Sequence, residues 1–390
     1  MIAVLAPGQG SQTPGMLSPW LELDGVAEQV AGYSELAKLD LLRLGTTATA
    51  EEIMDTALTQ PLIVMLGLVT AGQLDVAAAG SGQLISAGHS IGEVTAACVA
   101  GVLTAEQAIT FAARRGAEMA AACQAEQTTM AAALGGDPEV VVAAILARGL
   151  TPANRNGAGQ IVAAGAVGPI DELVANPPEG TRFRKLPVAG AFHTEYMRSA
   201  EQNLRSVAAG IQPGEPHQIL LSNADGTAVT TGRTVLARLV AQVTRPVRWD
   251  LCLNTLRELG VTATIELSPA KVLTGIAKRE LPGVELVAIK APEDLATAQR
   301  LLTASGQRDR PGPDLLVVHT PDQGIFTRAR GVQAGAAVVG GTRLGTIRTN
   351  RDELAIVAPV SGVLAEWLRN DGDIVGTGLP IARLSTGIEE

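Results

Sequence analysis

The chain has 390 residues and a formal net charge of -9, with 46% hydrophobic residues but only 2% aromatic ones. The acidic balance argues against a protein that binds nucleic acid, and no run approaches the roughly 18 apolar residues of a membrane span. Three cysteines at no metal-ligand spacing argue against a metal centre and predict a reduced, cytoplasmic compartment.

A short apolar strand opens the chain and runs into a glycine-rich turn. Residues 2–6 form the strand and residues 7–12 form the turn. In an α/β sheet such a turn lies at the carboxyl edge of the strands, where these proteins place their reacting groups. A core of small aliphatic residues also suits helices packed closely on a parallel sheet, so we predict an α/β fold.

The most informative motif follows the second predicted strand. Residues 84–87 have a buried-strand pattern, residues 88–92 (GHSIG) fit Gly-x-Ser-x-Gly, and a helix of small residues continues to Ala100. In this context the glycines permit a sharp turn that exposes the serine hydroxyl at the start of a helix. The alternative is an ordinary glycine-rich turn. Ser90 is therefore the candidate nucleophile.

The pattern of predicted elements divides the chain into regions. Residues 1–127 and 187–303 form one α/β core, and residues 128–186 between them alternate as β-α-β-β-α-β. That order predicts a ferredoxin-like subdomain inserted in the core. Residues 304–314 are polar and interrupted by Pro and Gly, which predicts a linker. Residues 315–386 then form a separate region.

A serine nucleophile needs a base, and the chain has four histidines. His89 lies beside Ser90 inside the Gly-x-Ser-x-Gly turn of residues 88–92, called the elbow below, where neighbouring side chains diverge. His217 and His319 lie in polar, turn-like surroundings. His193 follows the inserted region and precedes a helical segment. We predict His193 as the base; the alternative is a solvent-facing histidine at the start of a helix.

Eight short motifs occur in order along roughly the first 300 residues. They are Gln9-Gly10-Ser11-Gln12, Thr59-Gln60-Pro61, Gly88-His89-Ser90-Ile91-Gly92-Glu93, Arg115-Gly116, Asn154-x-Asn156, Phe192-His193-Thr194, Pro246-Val247-Arg248-Trp249 and Ser268-Pro269-Ala270-Lys271-Val272-Leu273. Together they resemble the motifs of the malonyl-CoA:acyl carrier protein transacylase family. The resemblance implies an α/β-hydrolase-like parallel-sheet core with an inserted ferredoxin-like subdomain.

The resemblance also implies a catalytic cycle. Ser90 attacks a malonyl thioester, and His193 takes the hydroxyl proton and later returns it to the departing thiol. A backbone carbonyl, which we predict at Arg248, orients the histidine in place of an acid. The backbone amides of Gln9 and Ile91 form the oxyanion hole.

A clamp for the free malonyl carboxylate follows from the same resemblance. The guanidinium of Arg115 can bind a carboxylate through two parallel hydrogen bonds, and Arg114 beside it is the alternative. Gln60 and Asn156 are implied as supporting polar groups, although the loop after Asn156 departs from the Ser-Pro of many relatives. Phe192 resembles the malonyl-selective version of its motif, because its bulk crowds the methyl group of methylmalonate.

Residues 315–386 resemble the biotinyl/lipoyl domain, through a repeated Gly-x-x-Val-x-x-Gly pattern and the Ala-Pro-Val-Ser-Gly turn at 358–362. They are predicted to form a small all-β barrel-sandwich. In that family a hairpin lysine carries the prosthetic group, but here the position is Arg351 and the last lysine of the chain is Lys290. A guanidinium cannot be acylated in its place, so we predict no biotin or lipoate. A partner protein or a second copy of the chain is the predicted binder of this domain.

The predicted function is transfer of malonyl from malonyl-CoA, through a Ser90 acyl-enzyme, to the phosphopantetheine thiol of an acyl carrier protein. The cycle is ping-pong and uses no metal, and the partners are the coenzyme A thioester and the carrier, without nucleic acid or membrane. One alternative is a serine thioesterase or other hydrolase with the same Ser-His pair, although such enzymes usually place the histidine near the C-terminus. A non-catalytic scaffold is the other alternative.

Carrier proteins are usually acidic, so we expect a basic rim near the site. The candidate residues are Arg182, Arg184, Lys185, Lys271 and Lys278. The alternative for each is an ordinary solvated charge.

Overall fold

The computed structural model describes four stretches of the chain, residues 1–79, 84–308, 315–349 and 352–385. Its contacts divide the chain into two compact units, Met1–Leu302 and Thr303–Glu390. Arg351, the residue at the predicted lysine position, lies outside the described residues. No helix within the described stretches is long and apolar enough to cross a membrane.

Strands and helices alternate through the first unit. Its strands are β1 (Ile2–Ala6), β2 (Leu84–Gly88), β3 (Thr128–Gly135), β4 (Thr151–Gly157), β5 (Gln160–Ala166), β6 (Thr181–Lys185), β7 (Ile219–Leu220), β8 (Val247–Arg248), β9 (Ala263–Glu266) and β10 (Glu285–Ala288). The helices of the chain are α1 (Val26–Ala37), α2 (Leu41–Thr46), α3 (Thr56–Gly72), α4 (Gly92–Val99), α5 (Ala105–Ala122), α6 (Pro138–Leu146), α7 (Val167–Ala175), α8 (Arg198–Ala208), α9 (Gly232–Ala241), α10 (Trp249–Glu258), α11 (Val272–Glu280) and α12 (Leu295–Arg308).

A parallel sheet forms the centre of the first unit. Its order is β10-β9-β1-β2-β7, and every neighbouring pair is parallel. All five residues of both β1 and β2 are buried, as expected for strands covered by helices on both faces. The prediction of an α/β fold with a parallel sheet is therefore confirmed. Because β1 and β2 end side by side, the loops that follow them meet at one sheet edge.

A second sheet is built from the segment between β3 and β6. Its order is β6-β3-β5-β4-β8, with antiparallel pairs except for β8, which runs parallel to β4. Helices α6 and α7 pack on it around a separate apolar cluster that includes Val141, Ile145 and Leu173. Strand β8 comes from a later part of the chain and joins this segment to the central fold.

The predicted linker begins inside a helix. α12 runs to Arg308, so residues 304–308 are helical rather than extended. A single glycine at position 306 costs a helix only about 1 kcal/mol relative to alanine, which is too little to end it there. The remaining linker positions, 309–314, lie outside the described residues.

Short strands follow one another along the second unit. These are β11 (Leu315–His319), β12 (Gly324–Arg328), β13 (Ala337–Val338), β14 (Arg343–Arg348), β15 (Glu353–Val357), β16 (Gly362–Trp367), β17 (Ile374–Val375) and β18 (Pro380–Ser385). They form two four-stranded sheets, ordered β11-β18-β16-β13 and β15-β14-β12-β17, in which the paired strands are antiparallel. The repeated glycines Gly335, Gly341, Gly372 and Gly378 all have positive φ, which places them in turns.

Candidate active site

The serine motif lies on a sharp turn between β2 and α4. Ser90 has a φ of 53°, in the left-handed region that a residue other than glycine rarely adopts. A Cβ added at Gly88 would lie 2.0 Å from backbone atoms of Gly92, and one added at Gly92 would lie 2.2 Å from the carbonyl oxygen of Ala6. Glycine is therefore required at both positions for the turn to hold the serine in this conformation.

Ser90 and His193 are in direct contact, although they are far apart in the sequence. The Oγ of Ser90 lies 2.7 Å from Nε2 of His193. On the other side of the ring, Nδ1 lies 2.9 Å from the backbone carbonyl oxygen of Gln242. Because a carbonyl oxygen only accepts, Nδ1 carries the ring proton and Nε2 is left to accept from the serine hydroxyl. The structure thus brings the predicted nucleophile and the predicted base together.

The prediction that the Arg248 carbonyl orients the histidine is wrong. The carbonyl in that position belongs to Gln242, the first residue of a 3-10 turn that directly follows α9. Arg248 lies in β8 instead, where its amide donates to the carbonyl oxygen of Asn223 at 2.8 Å and its guanidinium pairs with Asp250. The segment around Arg248 pairs with β4, so its backbone is used in the second sheet.

Arg115 lies beside the serine and is only 1% exposed. Its Nη1 donates to Oε1 of Gln60 at 2.6 Å, its Nη2 donates to Oε1 of Gln242 at 2.7 Å, and Nη2 lies 3.5 Å from Oγ of Ser90. Its Nε has no partner, and no carboxylate among the described residues pairs with the guanidinium. Arg114, by contrast, forms a surface ion pair on the exposed side of α5.

Burial and a neighbouring positive charge set the ionisation of the site. Burial is the larger cause and the Arg115 charge the second, and together they lower the pKa of His193 to about 3. Burial also lowers the pKa of Arg115 to about 10, which leaves the guanidinium charged at neutral pH. At that pH His193 is therefore a neutral imidazole, the form that a general base needs.

The backbone amides of Gln9 and Ile91 lie in the two loops that meet at the sheet edge. These loops are in close contact, because a Cβ added at Gly8 would lie 2.5 Å from the carbonyl oxygen of His89. In the described stretches neither amide donates a hydrogen bond. Both N–H groups are therefore available to a ligand oxygen.

Asn156 and Phe192 contact the framework around the Ser-His pair. The Oδ1 of Asn156 lies 2.8 Å from Nε2 of His89, whose ring packs edge-on against Trp249 at 5.7 Å between centroids. Phe192 is buried in the main hydrophobic cluster directly before His193. His89 thus fixes the elbow, and its contacts explain why it is not the base.

Sequence reasoning gave no role to three buried polar side chains that link these groups, Glu93, Asn223 and Gln242. Gln242 contacts both His193 and Arg115, and Oδ1 of Asn223 accepts from the Ser90 amide at 2.8 Å. The sequence held one signal, a charged residue at position 93 in a helix that is otherwise uncharged. Asn223 and Gln242 come from distant segments without a motif, so only the fold reveals them.

Comparison with known proteins identifies the family. The model of the acyl transferase domain matches residues 4–307, a range that includes every residue of the site. A malonyl CoA-acyl carrier protein transacylase of Mycobacterium tuberculosis is 54% identical over 296 residues, which is 76% of this chain and 98% of that protein. The chain belongs to the malonyl CoA-acyl carrier protein transacylase family.

Solved structures of transacylases have the same fold. The crystal structure of the Mycobacterium tuberculosis enzyme (MCAT) has a TM-score of 0.74 at 53% identity, covering 76% of this chain and 99% of that one. A structure of a type II PKS acyl-carrier protein in complex with its malonyl-transacylase has a TM-score of 0.72 at 29% identity. The match covers 77% of this chain and 99% of that one. The resemblance to the transacylase family is thus confirmed, and most of the second unit lies beyond the matched residues.

Proposed function

We propose that this protein transfers a malonyl group from malonyl-CoA, through an acyl-enzyme on Ser90, to the phosphopantetheine thiol of an acyl carrier protein. One observation carries the substrate assignment: Arg115 is buried beside the nucleophile without a carboxylate partner. A buried charge is costly unless an opposite charge pairs with it; the Glu93 charge acts on Arg115 without forming an ion pair, and the free carboxylate of malonyl supplies the direct partner. The 54% identity to a transacylase over its full length supports the same reaction.

In the first half of the cycle, Ser90 Oγ attacks the thioester carbonyl carbon while Nε2 of His193 accepts the hydroxyl proton. The Gln242 carbonyl stabilises the imidazolium that forms, because Nδ1–H donates to it. The amides of Gln9 and Ile91 bind the developing oxyanion. The C–S bond then breaks, and His193 returns the proton to the coenzyme A thiolate. A malonyl ester on Ser90 remains.

In the second half, the carrier thiol attacks the Ser90 ester. His193 takes the thiol proton and delivers it to the serine oxygen as the C–O bond breaks. No net proton is released or consumed and no atom changes oxidation state, so these steps need no redox cofactor. Arg115, supported by Gln60, holds the malonyl carboxylate through both halves, and the bulk of Phe192 disfavours a branched methylmalonyl group.

The carrier protein is proposed as partner on two grounds. A related malonyl-transacylase has been solved in complex with a type II PKS acyl-carrier protein. The five basic residues of the predicted rim are all exposed, as docking to an acidic carrier requires. Lys185 pairs with Asp171 in the free protein, so a carrier carboxylate must compete for it. The other four are Arg182, Arg184, Lys271 and Lys278.

Mass spectrometry after incubation with malonyl-CoA tests the proposal. We expect one malonyl mass on the peptide that contains Ser90, and loss of that label when holo carrier protein is added, whereas water alone removes it slowly. Arg115→Ala should reduce kcat/KM for malonyl-CoA about 10- to 100-fold more than for acetyl-CoA, since hydrogen bonds to a charged group are lost. The surface variant Arg114→Ala is the control. Label on another residue, or equal losses on both thioesters, contradicts the proposal.

Three further assignments belong to the same proposal. Residues 128–186 form a ferredoxin-like insertion, supported by the order β6-β3-β5-β4 of its own strands. Residues 315–386 form a biotinyl/lipoyl-like barrel-sandwich without a prosthetic group, supported by its two sheets and the absence of lysine after Lys290. A cytoplasmic location is supported by the three free cysteines.

A further inference from the structure

Glu93 is a buried acid for which the proposed reaction has no use. It is the second residue of α4, three residues after the nucleophile, and is 6% exposed. Its Oε1 accepts from the backbone amide of Asn223 at 2.6 Å, and its Oε2 accepts from Nε2 of Gln242. The described residues include no arginine or lysine in an ion pair with it; the amides of Asn223 and Gln242 and the Ser222 side chain stabilise the carboxylate, and the Arg115 charge acts on it more weakly.

Both partners of Glu93 contact the reacting groups. Gln242 Nε2 also donates to the Ser90 carbonyl oxygen at 3.1 Å, while its Oε1 accepts from Arg115 at 2.7 Å. Asn223 Oδ1 accepts from the Ser90 amide at 2.8 Å, and its Nδ2 donates to the Gly88 carbonyl oxygen at 2.8 Å. A single intervening residue therefore connects the carboxylate to the nucleophile, and a single one, Gln242, connects it to the guanidinium.

The orientation of the Gln242 amide depends on an acceptor at Glu93. The amide oxygen accepts hydrogen bonds and the amide nitrogen donates them. Because the Arg115 guanidinium has only donors, the oxygen must face Arg115. A carboxylate that only accepts binds the nitrogen, and so selects the orientation in which the oxygen faces Arg115. A neutral side chain at position 93 weakens this selection, since a glutamine has one acceptor oxygen for two donors and the Ser90 carbonyl oxygen is then the remaining acceptor that favours the nitrogen.

Keeping an acid at this position is costly. Burial raises the pKa of Glu93 to about 7, against the opposing effect of the hydrogen bonds from Asn223 and Gln242. The buried acid Glu266 offers a comparison: its two oxygens accept from amides in the first turn of α11, those of Leu273 and Thr274. Glu266 caps a helix, whereas the hydrogen bonds of Glu93 lead to the reacting groups.

We propose that Glu93 is a positioning residue for malonyl recognition: through Gln242 it fixes the Arg115 guanidinium in the orientation that receives the substrate carboxylate. This inference rests on the proposed malonyl transfer. It predicts that Glu93 affects the choice between charged and neutral acyl groups, although it touches neither the acyl group nor the Ser-His pair.

Steady-state kinetics of Glu93→Gln with malonyl-CoA and acetyl-CoA test the inference. We expect the ratio of kcat/KM for malonyl-CoA to that for acetyl-CoA to fall about tenfold, chiefly through a higher KM for malonyl-CoA. The matched control Glu266→Gln also neutralises a buried acid with two amide donors, and should leave the ratio unchanged. A Glu93→Gln ratio equal to that of wild type, or an equal fall in both variants, overturns the inference. Failure of wild type to load malonyl on Ser90 would instead refute the proposed function.

A double-mutant cycle tests the route through Gln242. Gln242→Ala removes the side-chain amide but keeps the backbone carbonyl that binds His193. If Glu93 acts through that amide, the ratio falls in Gln242→Ala and adding Glu93→Gln lowers it little further, whereas additive losses contradict the route. Should Glu93→Gln not fold, Gln242→Ala alone still decides, because a wild-type ratio in that variant overturns the inference.

Discussion

At the scale of single residues, the site combines a low-pKa histidine with a buried arginine. The arginine affects the histidine: the Arg115 charge is the second cause of the low pKa of His193, after burial. A histidine with a pKa of about 3 is a weak base, but it is fully deprotonated at neutral pH. The Gln242 carbonyl offsets part of this weakness, because its hydrogen bond favours the protonated ring.

The pH dependence of Arg115→Ala follows from this coupling. With acetyl-CoA as substrate, kcat/KM of the wild-type protein should stay flat from pH 8 down to pH 5, because His193 remains neutral there. In Arg115→Ala the repelling charge is gone and water gains access, so the pKa of His193 rises and an acid limb enters that range. Arg114→Ala should match wild type. A limb near the ordinary histidine value of about 6.5 that persists in Glu93→Gln, where the Glu93 carboxyl with its pKa of about 7 is absent, would contradict the low pKa of His193.

At the scale of elements, the contact between α3 and α5 sets the position of the arginine. A Cβ added at Gly116 would lie 2.7 Å from the carbonyl oxygen of Thr56, so the two helices approach as closely as a glycine permits. This approach brings Arg115 on α5 within 2.6 Å of Gln60 on α3. The N-terminus of α5 is stabilised independently by a capping box formed by Thr104 and Gln107.

Gly116→Ala should therefore damage both stability and substrate recognition. We expect a loss of about 1–3 kcal/mol in the free energy of unfolding, because backbone atoms must move to admit the methyl group. The separation of the helices should also reduce kcat/KM for malonyl-CoA. Gly275→Ala in α11, where the added methyl meets nothing within 4 Å, is the control and should be neutral or stabilising. Denaturant unfolding and kinetics on both variants check this, and equal behaviour would refute the packing argument.

At the scale of the whole molecule, every residue of the candidate site belongs to the first unit. The family match also ends at residue 307, and the two sheets of the second unit have their own buried apolar residues, including Phe326, Leu344 and Leu384. The second unit thus follows a segment of the chain that contains all residues of the candidate site.

A chain shortened to end at Arg308, after α12, should keep its rate of malonyl loading within about twofold. It should differ from the full chain in carrier protein affinity or in oligomeric state, if the second unit is a docking or dimerisation element. Loading measured by mass spectrometry, together with sedimentation of both chains, checks each part. Loss of loading in a folded short chain would mean that the second unit contributes to the reaction.

Features of the fold and of the site that depend on local chemistry can be predicted from the sequence. The elbow at Ser90 can be predicted because its two glycines, a few residues apart, are required by close approach of the backbone. The strands of the insertion can be predicted because their apolar pattern is local. The orienting carbonyl was misplaced at Arg248, because any of several backbone carbonyls could serve and only the path of the chain after α9 selects Gln242. The link from Glu93 to Arg115 was likewise decided by tertiary structure. It joins segments more than a hundred residues apart through the Gln242 amide, which has no sequence signature. The hydrogen-bond partners of such buried polar groups are set only when the chain has folded.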